Sequence, residues 1–347
     1  MGSADFTNLP VVDLRARGAD GDHVLAEQIV DICHNVGFFI LTNHGIEASF
    51  IDAVFSSMEH FFALPDKEKL RIDKRSSAQF RGWEGVGTER TNNRPDVREQ
   101  IDFWTEWPER HLDVDPRYLR LLGSNQWMPD EIVPGQRAVV LEWFEQLGRL
   151  ADRLLRLISI GLGLDEDHLL GYFGDEPMSL TKLISYPATP VGQAGVNAHH
   201  DTGFLTILAA GTTPGLQVQN HSGNWIDVPC IENTFVINLG EMLQAMTGNY
   251  LVATPHRVIT AAPRLSAGYF HGPHLKAILD PLPLHHRFVD AVLASPHHTD
   301  AGFMAQRDAT NAGVGDMQSQ TTADTYGQQL WNYFARSYPE NMSRHHH

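Results

Sequence analysis

The sequence predicts an α+β protein with a mainly β core, a double-stranded β-helix of the jelly-roll or cupin-like type that is flanked by helices. Two observations lead to this prediction. Apolar residues in the first part of the chain recur at helical spacing. From Met178 to Phe270 the chain consists instead of short β-type runs separated by Gly, Pro and Asn. Many short strands with such turn residues are typical of jelly rolls.

The predicted elements follow in chain order. Apolar residues at helical spacing predict a helix from Asp22 to Cys33 and a second helix from about Glu47 to Phe62, with a short buried strand at Phe38 to Leu41 between them. The strongest helical segment is Pro134 to Leu164, which carries a broad apolar stripe. A final helix is predicted from Tyr326 to Ser337.

Two segments carry weak periodicity. The stretch from Ser76 to Trp107 is rich in Gly, Arg, Asn and aromatic residues, and we expect loops and irregular strands that approach a functional site. After Pro281 the chain becomes irregular, and we expect a mobile loop from Gly302 to Thr325.

Composition narrows the class of protein. The chain has 347 residues, of which 42% are hydrophobic, as in soluble globular proteins. Its formal charge is -16, which opposes binding to nucleic acid or to an anionic membrane. Only Cys33 and Cys230 are present, so no disulfide framework is expected and a reducing compartment is favoured. We therefore expect a cytoplasmic protein without a membrane span. A monomer is taken as the default, since the sequence does not determine the oligomeric state.

The most informative motif is His199-His200-Asp201, which is followed much later by His256. Residues two apart in a strand point to the same face, so His199 and Asp201 can converge while His200 points away. A third ligand from a distant part of the chain must come from another strand, which suits a rolled sheet. Two histidines and one carboxylate form the facial triad that binds Fe(II) and leaves other positions open.

A second pattern follows one strand after His256. Arg264 and Ser266 are also two apart, and a guanidinium beside a hydroxyl is a suitable receptor for a carboxylate. Upstream, Tyr186 offers a phenol that completes the receptor. A His-x-Asp or an Arg-x-Ser alone is a weak signal, but their order along this chain describes a metal centre beside an anion site.

Further motifs surround these residues: Leu9-Pro10-Val11-Val12-Asp13-Leu14, Val36-Gly37-Phe38-Phe39-Ile40-Leu41-Thr42-Asn43-His44-Gly45-Ile46, Phe61-Phe62-Ala63-Leu64-Pro65, Gly215-Leu216-Gln217-Val218-Gln219 and Trp225-Ile226-Asp227-Val228-Pro229. In their order and number they resemble the Fe(II)/2-oxoglutarate-dependent oxygenases of the isopenicillin N synthase-like group. The resemblance runs from Leu9 to about Tyr338. Asn238-Leu239-Gly240-Glu241 stands where this family usually has Asn-x-Gly-Asp.

The resemblance implies a role for each candidate residue. The ligands of Fe(II) would be His199, Asp201 and His256. The residues that bind the distal carboxylate of 2-oxoglutarate would be Arg264 and Ser266, with Tyr186 as a third contact. With O2 as the other co-substrate, the implied reaction is oxidation of a small organic molecule, by hydroxylation, desaturation or cyclisation, with release of succinate and CO2. The family suggests a specialised metabolite as the substrate.

We divide the chain accordingly. Residues 1–175 form an N-terminal helical and mixed region, residues 176–285 the jelly-roll catalytic core, and residues 286–344 a C-terminal loop and helix. Residues 345–347 are all histidine and are interpreted as the remnant of a purification tag, so they are left out of the candidate ligands.

Substrate contacts are harder to assign. The aromatic residues Trp83, Phe103 and Trp107 are interpreted first as core, and alternatively as walls of an apolar substrate pocket. The cations of the same segment are interpreted first as exposed surface, and alternatively as contacts for a substrate carboxylate; they are Arg81, Arg90 and Arg98.

Three hypotheses about function remain open from the sequence. The first is a 2-oxoglutarate-dependent oxygenase, which Arg264-Leu265-Ser266 favours. The second is an oxidase of the same fold that uses Fe(II) and O2 without 2-oxoglutarate, like isopenicillin N synthase, which also keeps an Arg-x-Ser. The third is a non-catalytic binding protein on a jelly-roll scaffold.

Overall fold

The computed structural model describes residues 5–15, 19–92, 94–111, 113–295, 297–298 and 325–346. Its strands are β1 Val11–Asp13, β2 Phe38–Thr42, β3 Gly82–Glu84, β4 Arg90–Thr91, β5 Arg94–Pro95, β6 Glu99–Trp104, β7 Leu180–Tyr186, β8 Val196–His199, β9 Leu205–Ala209, β10 Leu216–Gln219, β11 Trp225–Asp227, β12 Phe235–Leu239, β13 His256–Val258 and β14 Arg264–His271. Its helices include α1 Ala19–Asn35, α2 Ala48–Phe62, α3 Asp66–Lys69, α4 Gln136–Gly161, α5 Glu241–Met246, α6 His286–Leu293, α7 Tyr326–Ser337 and α8 Pro339–His345.

Two sheets form the core. Within the described residues the larger sheet has eight strands in the order β1-β2-β12-β9-β14-β7-β6-β3, and the smaller has four in the order β11-β10-β13-β8. The sheets face each other, because apolar side chains of both meet in one buried cluster that includes Ile184 and Val236 from the larger sheet and Val218 and Val258 from the smaller. This is the predicted double-stranded β-helix.

The outer face of the larger sheet is covered by helices. Alternate strand residues point outward, such as Leu183 in β7 and Ile237 in β12, and they join the main apolar core together with α1, α2 and α4. Helix α4 buries its predicted stripe, with Trp143 and Leu147 fully enclosed. The inner face of the sheet is thereby left for the site.

Most predicted helices are confirmed. Helix α4 lies within the predicted Pro134 to Leu164, helix α2 within Glu47 to Phe62, and α7 matches Tyr326 to Ser337. The irregular segment expected after Pro281 contains helix α6. The loop expected at Gly302 to Thr325 lies almost entirely outside the described residues.

The prediction for Ser76 to Trp107 was wrong in one respect. Strand β6 is a regular member of the larger sheet, paired with both β3 and β7. Its residues alternate, with Ile101 and Phe103 in the apolar core and Gln100 and Asp102 on the inner face. A strand whose inner residues are polar lacks the apolar alternation by which strands are usually recognised.

The division at residue 175 stays a prediction, because the larger sheet takes strands from both sides of it. Of the helices within the described ranges, none combines the length and the apolar character needed to cross a membrane.

Two glycines of α4 give a test of how this helix packs. A Cβ at Gly161 would lie 2.5 Å from the carbonyl oxygen of Ala26 in α1, whereas at Gly148 the nearest atom, the Tyr269 hydroxyl, would be 3.4 Å away. Gly161→Ala should lower the free energy of unfolding by about 1–3 kcal/mol, because the helices must move apart. Gly148→Ala should raise it by up to about 1 kcal/mol through helix propensity. Urea denaturation measures the free energy of unfolding of both variants. Equal changes in the two would contradict the close contact between α4 and α1 at Gly161.

Candidate active site

The three candidate metal ligands converge at the edge of the smaller sheet. Strands β8 and β13 are antiparallel neighbours, and His256 lies directly opposite His199. Asp201 follows the end of β8, and its Oδ1 is 3.6 Å from Nε2 of each histidine. All three ligand atoms lie within 4.8 Å of one another. His200 points elsewhere, with its Nδ1 3.7 Å from a carboxylate oxygen of Glu241.

Hydrogen bonds fix the tautomer of both histidines. Nδ1 of His199 lies 2.8 Å from the carbonyl oxygen of Asn197, and Nδ1 of His256 lies 3.2 Å from that of Thr254. A carbonyl oxygen only accepts, so each Nδ1 carries the proton and donates it. The lone pair of each Nε2 is then available to a metal ion, which is the usual arrangement around metal-binding histidines.

Asp201 is held by the larger sheet. The hydroxyl of Thr206 in β9 and the amide of Asn238 in β12 both donate to its Oδ2, at 2.6 and 2.8 Å. Because both bonds go to the same oxygen, Oδ1 remains directed at the histidines. The backbone of Asp201 is also fixed, since its carbonyl oxygen accepts from the N–H of Glu241 at 2.8 Å.

The turn before α5 explains one quoted motif. The N–H of Gly240 donates to the carbonyl oxygen of Phe204, which brings the two backbones into contact. A Cβ at Gly240 would lie 2.0 Å from the carbonyl oxygen of Gly203, so no other residue fits there. Asn238 and Gly240 therefore position Asp201 through its side chain and through its loop.

Burial and neighbouring groups shift the pKa values of His199 and Asp201 in the directions that favour binding of a cation. Burial, followed by the neighbouring His256, lowers the pKa of His199 to about 3, so its imidazole is neutral at pH 7. Burial alone would raise the pKa of Asp201, but the proximity of His256 and His199 and the hydrogen bonds from Asn238 and Thr206 lower it overall. A neutral imidazole and an ionised carboxylate are the forms of these side chains that bind metal.

The candidate carboxylate receptor lies inside the jelly roll. Arg264 and Ser266 are buried on β14, opposite Tyr186 and Ile184 of β7. The guanidinium lies 5.1 Å from the ring of Tyr186 and donates through Nη2 to the carbonyl oxygen of Ala210 at 2.9 Å. Among the residues that the structure describes, Nη1 of Arg264 and Oγ of Ser266 have no hydrogen-bond partner. A carboxylate would satisfy both groups, so these residues fit the distal end of 2-oxoglutarate.

A cavity of about 220 Å³ opens beside the cluster and is lined by both His199 and Asp201. The His199 side chain is 26% exposed, against 11% for His256, so the open side of the cluster faces this cavity. One wall is charged and includes Lys74, Glu89, Arg98, Asp102 and Lys182. The other is largely aromatic and includes Trp104, Phe270, Tyr333, Phe334 and Tyr338.

The four predicted substrate contacts lie elsewhere, since the described lining of this cavity includes none of them. Phe103 is fully buried in the core and stacks on Trp127, with ring centroids 4.7 Å apart. Trp83 is also core, and its Nε1 donates to Glu99 at 2.9 Å. Trp107 packs against the core, and its Nε1 donates to a backbone carbonyl oxygen.

Arg81 corrects the expectation of an exposed cation. It is fully buried, and its guanidinium donates to the carbonyl oxygens of Gly123, Thr105 and Leu121. This arginine therefore joins chain segments and is not placed to bind a substrate. Arg98 was also expected at the surface but is buried, and it lines the cavity.

The sequence analysis missed the residues that surround the cluster. Thr206 and Asn238 are single polar residues in otherwise apolar strands, and Lys182 is the one charged residue of β7. Each faces the interior. A polar residue at an inward position of a buried strand is the pattern that would have identified them.

Comparison with known proteins supports the same class. Residues 9–130 match the family model described as non-haem dioxygenase in morphine synthesis N-terminal, and residues 175–273 match that of the 2OG-Fe(II) oxygenase superfamily. The 2-oxoglutarate-dependent dioxygenase frbJ of Dothideomycetidae sp. (strain 11243) is 34% identical, covering 77% of this chain and 74% of that protein. Homoarginine-6-hydroxylase 2-ODD-233 of Oryza sativa subsp. japonica is 32% identical, and the match covers 81% of this chain and 90% of that protein. The crystal structure of full-length Neurospora crassa T7H in complex with alpha-KG matches with a TM-score of 0.69 and 26% identity. The match covers 79% of this chain and 88% of that chain.

A jelly roll with a two-histidine, one-carboxylate cluster and a buried carboxylate receptor is the architecture of a non-haem iron oxygenase. Since relatives above 30% identity are covered over most of their length, the chain belongs to the Fe(II)/2-oxoglutarate-dependent oxygenase family. It is a dioxygenase that uses Fe(II), 2-oxoglutarate and O2, which confirms the first of the three hypotheses.

The bonds to Oδ2 of Asp201 can be tested with a matched pair of variants. Thr206→Val removes one of them and should weaken Fe(II) binding roughly 10- to 100-fold, because the carboxylate is no longer held in orientation. Thr181→Val is the control, since Thr181 is equally buried and its hydroxyl has no partner among the described residues. Anaerobic Fe(II) titration measures both, and an unchanged affinity in Thr206→Val would show that Asn238 alone suffices.

Proposed function

We propose that His199, Asp201 and His256 bind Fe(II) and present its open positions to the cavity. One observation carries this proposal: Nε2 of His199, Oδ1 of Asp201 and Nε2 of His256 converge. Hydrogen bonds engage the other ring nitrogen of each histidine and the other carboxylate oxygen of Asp201, so the three converging atoms are left for the metal. Asn238 and Thr206 act through Asp201 and are positioning residues.

In this proposal Arg264 and Ser266 bind the distal carboxylate of 2-oxoglutarate, and Tyr186 forms the third side of the receptor. Two observations support this assignment. The guanidinium of Arg264 is permanently charged, and its Nη1 and the hydroxyl of Ser266 have no hydrogen-bond partner among the described residues. Two bonds from Arg264 to backbone carbonyl oxygens hold the guanidinium in place before the ligand arrives. The receptor is therefore preorganised, and little ordering is needed on binding.

When bound, iron and 2-oxoglutarate supply the oxidising power for attack on a substrate C–H bond. The chain supplies position and protection. His199 and Asp201 face the cavity, so a substrate there is next to the reacting centre. The aromatic wall excludes water and holds the apolar part of the substrate, as is usual for small-molecule sites.

The substrate is a small organic molecule of a specialised pathway, and hydroxylation is the default outcome. The name of the rice relative, a homoarginine-6-hydroxylase, supports hydroxylation of a small molecule. The charge of -16 opposes a nucleic-acid partner. The protein acts as a monomer in the cytoplasm, where its two free cysteines stay reduced.

Anaerobic titration of the Fe(II)-loaded protein with 2-oxoglutarate tests the proposal directly. We expect a visible metal-to-ligand charge-transfer band, because chelation requires the triad and two open positions together. His256→Ala should bind no Fe(II) and give no band while the fold is retained. Iron that binds without producing the band would favour an oxidase that does not use 2-oxoglutarate, and a protein that binds no iron would contradict the ligand assignment.

The carboxylate receptor gives a separate prediction. Ser266→Ala should weaken 2-oxoglutarate binding about tenfold or more, because a hydrogen bond to a charged group is lost. Without 2-oxoglutarate it should leave the free energy of unfolding unchanged or higher, since the hydroxyl has no partner among the described residues.

The control is Ser57→Ala in α2, whose buried hydroxyl also lacks a partner in the described part of the chain. This variant should change neither the affinity for 2-oxoglutarate nor the free energy of unfolding. An unaltered 2-oxoglutarate affinity in Ser266→Ala would place the receptor elsewhere.

A further inference from the structure

A network of buried charges lines the cavity on the inner face of β3, β6 and β7. Its most enclosed member is Lys74, whose Nζ donates to Glu84 and Asp102, both at 2.7 Å, and to the hydroxyl of Tyr338 at 2.8 Å. An ammonium has three protons, so Lys74 is fully used within the protein. It is a structural member of the network.

Lys182 is held at longer distances than Lys74, while its partner Glu89 also accepts a close hydrogen bond from Nε2 of Gln100. Nζ of Lys182 is 3.3 Å from both carboxylate oxygens of Glu89 and 3.3 Å from Asp102, longer than each contact of Lys74. Their side chains are 14% and 13% exposed, against 2% for Lys74, and both line the cavity. This ion pair is therefore the part of the network that a ligand can reach and exchange with.

Arg98 lies beside this pair and also lines the cavity. Its Nη2 is 3.2 Å from Asp96 and 3.7 Å from Glu89. Its Nε is buried and has no acceptor among the described residues. A buried donor without an acceptor is costly, so an acceptor supplied by a ligand in the cavity would be favourable.

The charge balance limits which ligand fits. Four cations in or next to the described lining of the cavity, Lys74, Arg90, Arg98 and Lys182, meet four carboxylates, which are Glu84, Glu89, Asp96 and Asp102. Counted in this way the charges balance, and the pair that a ligand can reach, Lys182 and Glu89, has one charge of each sign. A ligand with a single charge would add an uncompensated buried charge, whereas a zwitterion adds none.

We propose that the substrate is a zwitterionic amino acid, whose carboxylate binds Arg98 and Lys182 and whose ammonium binds Glu89. The zwitterion inserts into the loose Lys182–Glu89 pair and gives each partner a new counter-ion. Its side chain then extends between the aromatic wall and the cluster of His199 and Asp201. The proposal rests on the proposed function, because it takes this cavity to be the substrate site.

The first test uses the wild-type protein with Fe(II) and 2-oxoglutarate under anaerobic conditions. Isothermal titration calorimetry is run with L-leucine, L-phenylalanine, L-methionine and L-glutamine, whose side chains are uncharged, and with singly charged analogues of each, one lacking the amine and one lacking the carboxylate. We expect at least one amino acid to bind about tenfold or more tightly than both of its analogues, because each analogue leaves one member of the pair without a counter-ion.

If the analogue that lacks the amine binds as tightly as the amino acid, the proposal is overturned in favour of a simple anion site. If the analogue that lacks the carboxylate binds as tightly, it is overturned in favour of a cation site. Binding of none of the four amino acids would also overturn it. The charge-transfer band is measured on the same sample, so failure of the proposed function is seen separately as loss of the band.

Variants then locate the site. Lys182→Met should weaken binding of the amino acid roughly 10- to 100-fold. Glu89→Gln should remove the preference for the amino acid over its analogue without an amine. Lys69→Met is the matched control, because Lys69 is a buried lysine paired with Glu99 at 2.8 Å that lies outside the cavity lining. Equal affinity in Lys182→Met and Lys69→Met would place the carboxylate elsewhere.

Discussion

The two hydrogen bonds to Oδ2 of Asp201 are the contact on which the rest of the site depends. They join the loop after β8, in the smaller sheet, to Thr206 and Asn238 in the larger sheet. A carboxylate with one oxygen held in this way offers the other to a metal ion. The backbone contact at Gly240, where even a Cβ would not fit, brings the turn before α5 against the same loop. The candidate metal cluster is thus assembled between two sheets and not within one strand.

Strand register places the other functional groups relative to this cluster. Ser266 of β14 lies opposite Ile184 of β7, and Lys182 of β7 lies opposite Asp102 of β6. All these residues point inward because side chains alternate along each strand. A slip of one residue in β7 would move Lys182 to the helix side and bring Leu183 into the cavity. The apolar core on the outer face therefore specifies the register that the polar inner face requires.

The sequence alone predicted the jelly roll, the main helices and the three residues that converge, His199, Asp201 and His256. The period-two argument for this convergence was wrong, because β8 ends at His199 and Asp201 lies in the loop that follows. The sequence did not predict the charged wall of the cavity. Lys182 and Asp102 are far apart in sequence, and only the pairing of β6 with β7 brings them together. Arg81 and Arg98 were expected at the surface, since burial of an arginine depends on carbonyl oxygens and carboxylates that distant segments provide.

The charged network also bears on why this wall is polar at all. Buried ion pairs contribute little net stability, because the cost of removing charges from water offsets their attraction, and apolar replacements of similar volume are often as stable. The inner face of β7 also accommodates an apolar residue, since Ile184, two positions from Lys182, is buried there. Stability therefore does not account for Lys182 on the inner face or for Glu89 beside it. Recognition does, because a cavity with fixed charges of both signs discriminates against ligands that match only one of them.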